Sequence, residues 1–219
     1  MDLHMAAVKR PTEHRMSRRD RALATRLRIT KAAYTLFCER GYAGTTMEDI
    51  AAAADVAVQT VYFTFHTKGE LLSRAYDFAV LGEGDPLPPE EQPWYGRMVA
   101  EPEIVPALRH AVEGIGEILR RATPLDTVVR AAAGADPDPG RVRAKHERWR
   151  AEGYRRMVDL LASKSPLRRG IAEERATQLL LLYVGMDVYR VLVIDFGWTQ
   201  DDWISWTAAT IGEQVFDVR

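Results

Sequence analysis

The stretch Thr46-Met47-Glu48-Asp49-Ile50-Ala51-Ala52-Ala53-Ala54-Asp55-Val56-Ala57-Val58-Gln59-Thr60-Val61-Tyr62-Phe63-Thr64-Phe65 decides the fold. Met47, Ile50, Ala51 and Ala54 recur at i, i+3, i+4 and i+7, the spacing of one helical face. Val58, Val61, Tyr62 and Phe65 repeat that spacing after the corner Asp55-Val56. Thr45 or Thr46 can cap the first helix, and Glu48 and Asp49 fall in its first turn, where the helix dipole favours negative charge. Two short helices joined this tightly form a helix-turn-helix. In such a pair the first helix crosses a phosphate backbone and the second enters the major groove by its N-terminal residues. The alanines at 51–54 let the helices touch, and Val56 pins the corner.

Outward from this pair the pattern stays helical, and the expected fold class is all-α. Ile29, Ala33, Leu36 and Phe37 mark a helix from about Arg18 to Arg40, stopped by Gly41. Leu71, Ala75, Phe78 and Ala79 mark another, starting near Thr67. Residues 82–106 hold six prolines and three glycines and read as a linker, although Trp94 and Tyr95 are unusual for one. Beyond it the spacing predicts a helix over 103–121, a shorter one opened by Pro124 and ending near Ala133, and a turn at Asp136–Gly140. Long helices are expected over 140–163 and 171–196, and a last one over 200–216.

At 219 residues the chain is long enough for more than one domain, at roughly 100–200 residues each. Its formal net charge of -1 hides an uneven spread: residues 1–40 hold ten basic and four acidic residues. A basic segment on a slightly acidic body fits an anionic partner at one end, or a solvated tail. The single cysteine, Cys38, excludes an intrachain disulfide, and a reducing cytoplasmic setting is expected. The longest uninterrupted apolar run, Leu179 to Met186, falls short of the ~18 residues of a bilayer span, so no membrane partner is expected. Catalytic patterns are wanting. His146-Glu147-Arg148-Trp149-Arg150 begins like a zinc-protease motif but lacks the second histidine. No metal, no cofactor and no enzyme activity are expected.

The segment Ile29 to Leu72 resembles the DNA-binding domain of the Tet repressor (TetR/AcrR) family of bacterial transcriptional regulators. The resemblance is carried by Ala32-Ala33-Tyr34-Thr35-Leu36-Phe37, Gly41-Tyr42-Ala43-Gly44-Thr45-Thr46, Glu48-Asp49-Ile50-Ala51, Thr60-Val61-Tyr62-Phe63-Thr64-Phe65 and Lys68-Gly69-Glu70-Leu71-Leu72. It implies a homodimer whose subunits have an N-terminal three-helix DNA-binding domain, a connecting fourth helix and a larger helical ligand-binding and dimerisation domain. The expected division is a basic arm at 1–17, the DNA-binding domain at 18–66 and the helical body at 67–219. The stretch from Tyr189 through Gly197-Trp198 to Trp206 also resembles, more weakly, the dimerisation end of some actinobacterial members. Asp55 stands where glycine is common, at a turn position whose positive φ Asp tolerates better than most residues. Ala57 stands where a capping Ser is common, a loss of about 1 kcal/mol.

Site residues follow from residue chemistry and this resemblance together. Gln59 and Thr60 would read base edges, since Gln bonds adenine bidentately and Thr contacts a thymine methyl. Tyr62 matches the family's phosphate-bonding tyrosine, with its ring on the domain core; core packing alone is the other reading. Phe63 and Thr64 occupy frequent contact positions. Thr46 and Lys68, at helix N-termini, suit phosphate, and Arg28 adds non-specific attraction. A small-molecule effector of largely apolar or aromatic character would bind between the helices of the body. Its candidate lining is Trp94, Tyr95, Met98, His110, Trp149, Tyr154, Met157, Tyr183 and Met186, all equally compatible with simple core. Leu179, Leu182, Val193, Trp203 and Trp206 would face a partner subunit or the subunit's own core. The expected function is a ligand-responsive regulator, a repressor released from a palindromic double-stranded DNA operator. An activator is the alternative within that class. The alternative from another class is a small-molecule sequestering protein whose helix-turn-helix no longer reads DNA.

Overall fold

Three of the four N-terminal helices begin on a side-chain cap that the local sequence supplies. The computed structural model describes residues 17–82, 88–216 and 218. The basic arm expected at 1–17 therefore lies outside the described residues except for Ser17. Helix α1 (Arg18–Arg40) starts on a reciprocal box in which Ser17 Oγ accepts from Asp20 N–H and the Asp20 carboxylate accepts from Ser17 N–H. Gly41, at φ +75°, ends it. Helix α2 (Met47–Ala53) starts on the same box made by Thr46 and Asp49. Helix α3 (Val58–Thr64) starts at Ala57 with no side-chain cap. Asp55 takes a left-handed φ of 51° in the corner between α2 and α3. Helix α4 (Lys68–Leu81) starts on Thr67, whose Oγ1 accepts from Glu70 N–H at 3.0 Å.

These four helices close over one apolar centre. Ile29, Ala33, Phe37, Ile50, Val61, Phe65, Leu71 and Leu72 are all fully buried. Thr45 is buried as well, and its hydroxyl donates to the Gly41 carbonyl at 2.8 Å and the Leu36 carbonyl at 3.2 Å near the end of α1.

The body is built on α6 (Ile104–Ala132), against which α4, α7 (Pro137–Ala162) and α10 (Gln200–Val215) pack. Three sequence expectations fail here for identifiable reasons. The proline-rich linker contains a helix, α5 (Pro93–Ala100), preceded by a single tight turn at Pro89–Glu91. Pro93 occupies the first helical position, where its missing N–H costs nothing. Trp94 is buried flat against α6 at Gly114, where any Cβ would collide with the indole. Pro124 does not open a new helix, because α6 runs straight through it. Leu119, Ala122, Leu125 and Val129 stay buried on both sides of the proline, and Tyr34 Oη donates to the Arg121 carbonyl at 2.7 Å in the turn before it. The helix expected to start at Gly140 starts instead at Pro137, capped by Asp136.

The segment expected as one helix over 171–196 is divided. Helix α8 (Glu173–Tyr183) stops at Val184, and α9 (Met186–Tyr189) follows, continued by a wider π-type turn over Arg190–Asp195. Gly185 sits at the break, where a Cβ would press on the Leu181 and Leu182 carbonyls. Residues 173–195 reach the mean hydropathy of a bilayer crossing, 1.5. The break at Gly185 means that these residues are not one continuous α-helix. Among the interface candidates, Leu182 is exposed, Trp206 is partly exposed, and Leu179 and Val193 are half-buried. Trp203 is different: it is fully buried inside the subunit, edge-on to Tyr189 at 5.0 Å and close to Gly116 of α6. Trp203→Ala is therefore expected to cost about 3–5 kcal/mol in urea unfolding without first dissociating an oligomer.

Candidate nucleic-acid interface and ligand cavity

The uncapped helix α3 presents its side chains outward. Gln59, Tyr62 and Phe63 fall at i, i+3 and i+4 on one face, and all three are exposed, Phe63 at 87%. That ring packs on nothing in the domain, whereas the other face of the helix is anchored by Val61 and Phe65. Tyr62 does not rest wholly on the domain core, being 45% exposed. Thr60 is half-buried, and Thr64 Oγ1 donates back to the Thr60 carbonyl at 2.7 Å, so these two are less open than their neighbours. Arg28 is exposed on α1. The Thr46 hydroxyl is held at 2.7 Å by the Asp49 carboxylate.

Lys68 is placed differently from the sequence expectation. Its ammonium donates to the Tyr42 and Thr45 carbonyls at 3.0 and 3.2 Å and lies 4.2 Å from the Tyr42 ring centroid. It fastens the start of α4 to the loop between α1 and α2. The Tyr42 hydroxyl in turn reaches Asp138 Oδ2 at the start of α7, at 3.5 Å. Gly69 lies so close to Asp138 that a Cβ there would collide with it. No spacing rule links residues 42, 68 and 138, so this junction is invisible in the sequence.

A cavity of about 460 Å³ lies among α4, α5, α6 and α7. Of the nine candidate lining residues, the structure brings six to it: Trp94, Tyr95, Trp149, Tyr154, Met157 and Met186. Three lie elsewhere. Met98 is fully buried in packing, His110 Nδ1 lies 3.6 Å from Glu113 on its own helix, and Tyr183 meets Trp206 edge-on. The spacing that put them on apolar faces does not tell which face borders empty space.

Sequence reading also missed the polar part of the wall. Tyr76 Oη donates to Asp126 Oδ1 at 2.8 Å, and Arg130 Nε holds the other oxygen at 2.6 Å while reaching Asp187 at 3.0 Å. Burial, reinforced by the Asp126 charge, pushes the Tyr76 phenol far above its ordinary range. The opposite face of Tyr76 stacks on His146 at 4.1 Å. His146 Nε2 lies 3.2 Å from Asp77 Oδ1 without the alignment of a hydrogen bond, and Lys145 Nζ donates to the same oxygen at 3.3 Å. Burial pushes the Asp77 carboxyl up, but His146 and Lys145 outweigh it and hold the group below the usual carboxylate range. Tyr154 is pushed up to about 12 by burial and donates to the Val184 carbonyl. The one sequence signal for this wall is the i, i+4 pair His146 and Arg150 on α7, which reads equally as a solvated charged face.

Residues 29–75 match the model of the family described as bacterial regulatory proteins, tetR family. Over these residues the chain is similar to the N-terminal domain of that family. The rest of the chain shares the fold of solved TetR-type structures. NalD of Pseudomonas aeruginosa, the secondary repressor of the MexAB-OprM multidrug efflux pump, is 18% identical over 90% of this chain and 98% of its own, with a TM-score of 0.66. FadR of Bacillus subtilis, solved with stearoyl-CoA, is 13% identical over 86% and 98%, with a TM-score of 0.67. A TetR-family member from Streptomyces coelicolor, SCO1917, is 22% identical over 87% and 98%, with a TM-score of 0.57. No curated protein sequence matches the chain.

The depressed Asp77 carboxyl gives a pH prediction. A group whose folded pKa lies below its unfolded value of about 3.9 stabilises above that value and loses the contribution as pH falls through the folded one. Asp77→Asn should lower stability at pH 7 by about 1–3 kcal/mol. It should also reduce the further loss between pH 5 and pH 2, read by urea unfolding at several pH values.

Proposed function

We propose that the protein is a ligand-responsive DNA-binding transcriptional regulator, acting as a repressor that an effector releases from a palindromic operator. The observation that carries this reading is that α4 borders both working parts. Tyr76 and Asp77 of α4 line the cavity, and Lys68 at its start holds the loop beside the helix-turn-helix. A ligand that prefers one position of α4 must then change DNA affinity by the same coupling energy. Gln59 and Thr60 read base edges; Tyr62, Phe63 and Thr64 sit against the backbone and groove walls; Arg28 adds non-specific attraction. Thr46 offers the N-terminus of α2 to a phosphate, and Lys68 acts by holding that region in place. Residues up to 66 form the reader, and the remainder the regulatory body.

The operating unit in this reading is a homodimer. Leu182, Ile194, Phe196 and Trp206 are apolar and exposed, at 38–69% each, on α8, the π-type turn and α10. Two such surfaces meeting make a four-helix bundle. The pairing sets the recognition helices roughly 34–36 Å apart, one turn of DNA. A cytoplasmic location follows from the DNA partner. A sequestering protein with a silent helix-turn-helix is the weaker reading, because an idle helix gains nothing from an open Phe63.

A mobility shift with DNA from upstream of the protein's own gene tests the proposal. A retarded band that weakens steeply with salt is expected. Gln59→Ala should change sequence preference, and Leu182→Glu should give monomers by light scattering and lose the band. No retardation at low salt would favour sequestration.

A further inference from the structure

We propose that the cavity takes a monocarboxylic acid with an apolar, ring-bearing body, and that Arg150 is the anchor for its carboxylate. This deepens the reading of the cavity as an effector site and rests on it.

The inference comes from pairing the charges in the wall one by one. Asp77 is met by Lys145 at 3.3 Å and His146 at 3.2 Å. Asp126 is met by Arg130 at 2.6 Å, Glu147 by Arg143 at 2.8 Å, and Glu90 by Arg156. Arg150 is left over. Among the described residues no carboxylate lies within ion-pair distance of it, and its Nε is shielded from solvent with no hydrogen-bond partner. The hydroxyls whose titration it influences are Tyr76 and Tyr154, and both already donate elsewhere, to Asp126 and to the Val184 carbonyl. A shielded guanidinium donor without an acceptor is costly, and a group that supplies one recovers that cost. A carboxylate matches it best, because two parallel N–H groups on the guanidinium edge meet its two oxygens.

The same pairing excludes other ligand classes. A polyphosphate head carries several negative charges and needs several free cations, whereas Arg130 and Arg156 are already engaged. A cationic amphiphile would find each lining carboxylate occupied and Arg150 repelling it. The rest of the ligand meets Trp94, Trp149, Ile115, Met157 and Met186, flat or adaptable apolar surfaces. The volume of about 460 Å³ is in the range of small-molecule sites.

The test is a thermal-shift and tryptophan-fluorescence screen of the full chain. The probes are ring-bearing acids, such as 1-naphthylacetate, 4-phenylbutyrate and cyclohexanecarboxylate, each with its neutral amide and its primary amine. At least one acid should raise Tm and quench Trp94 and Trp149, while its amide and amine do neither. Arg150→Met should weaken that acid roughly 30-fold or more. The same variant, without ligand, should unfold no earlier than the parent, since it removes an unpaired charge. Arg150→Lys should recover part of the affinity. Equal binding of amide and acid, binding of amines, undiminished binding by Arg150→Met, or no binding by any acid would each overturn the proposal. If Arg150→Met does not fold, the acid-to-amide comparison on the parent chain decides. Mobility shifts run in parallel separate this inference from the functional reading. An Arg150-dependent acid that leaves operator binding untouched overturns the regulator and not the site. A neutral or cationic ligand that releases DNA does the reverse.

Discussion

Helix α4 is buried along two sides at once. Leu71, Leu72, Ala75 and Ala79 are at most 1% exposed, because α1 covers one side and α6 and α7 the other. A helix of fourteen residues, about 21 Å long, cannot bend much inside such packing. A push at Tyr76 is therefore felt at Lys68. The contacts at its two ends are polar and specific: Lys68 with the Tyr42 and Thr45 carbonyls, and Arg121 Nε with the Ala79 carbonyl at 3.1 Å. Hydrogen bonds of this kind have discrete geometries and move as units, as the proposed regulation requires of α4.

The body supports α4 through aromatic packing on glycine. Trp94 against Gly114 and Trp203 beside Gly116 sit two residues apart on α6, fixing α5 and α10 to the same stretch of that helix. Each glycine carries a cost in helix propensity of about 1 kcal/mol, offset by the area of the indole buried against it. The cavity is what remains open between these fixed elements and α7.

Where the chain is locally determined, its sequence is readable. The starts of α1, α2 and α4 and the end of α1 follow from Ser17, Thr46, Thr67 and Gly41, each of which acts on its own neighbours. The departures at Asp55 and Ala57 are equally local and appear as expected, a positive φ and an absent cap. The body is less readable because its determinants act across the chain. Pro124 is carried inside a helix by packing on both of its sides. Residues 93–100 fold because a glycine fourteen residues past the last of them leaves room for Trp94. The six candidate residues that reach the cavity and the three that do not all lie on helices, and spacing alone does not tell which helix face borders the cavity. Arg150 is not marked in the sequence, since a missing partner has no signature there.

The notch at Gly114 has one more consequence. Trp94 forms part of the cavity wall, yet its position is set by a glycine that does not itself border the cavity. Adding a single methyl group there would displace the whole indole and redraw the wall. In a lineage of related chains, the shape of this chamber can thus drift through a position that never touches its contents, while the charged anchor stays in place. Divergence of what is bound then need not leave any mark among the residues that do the binding.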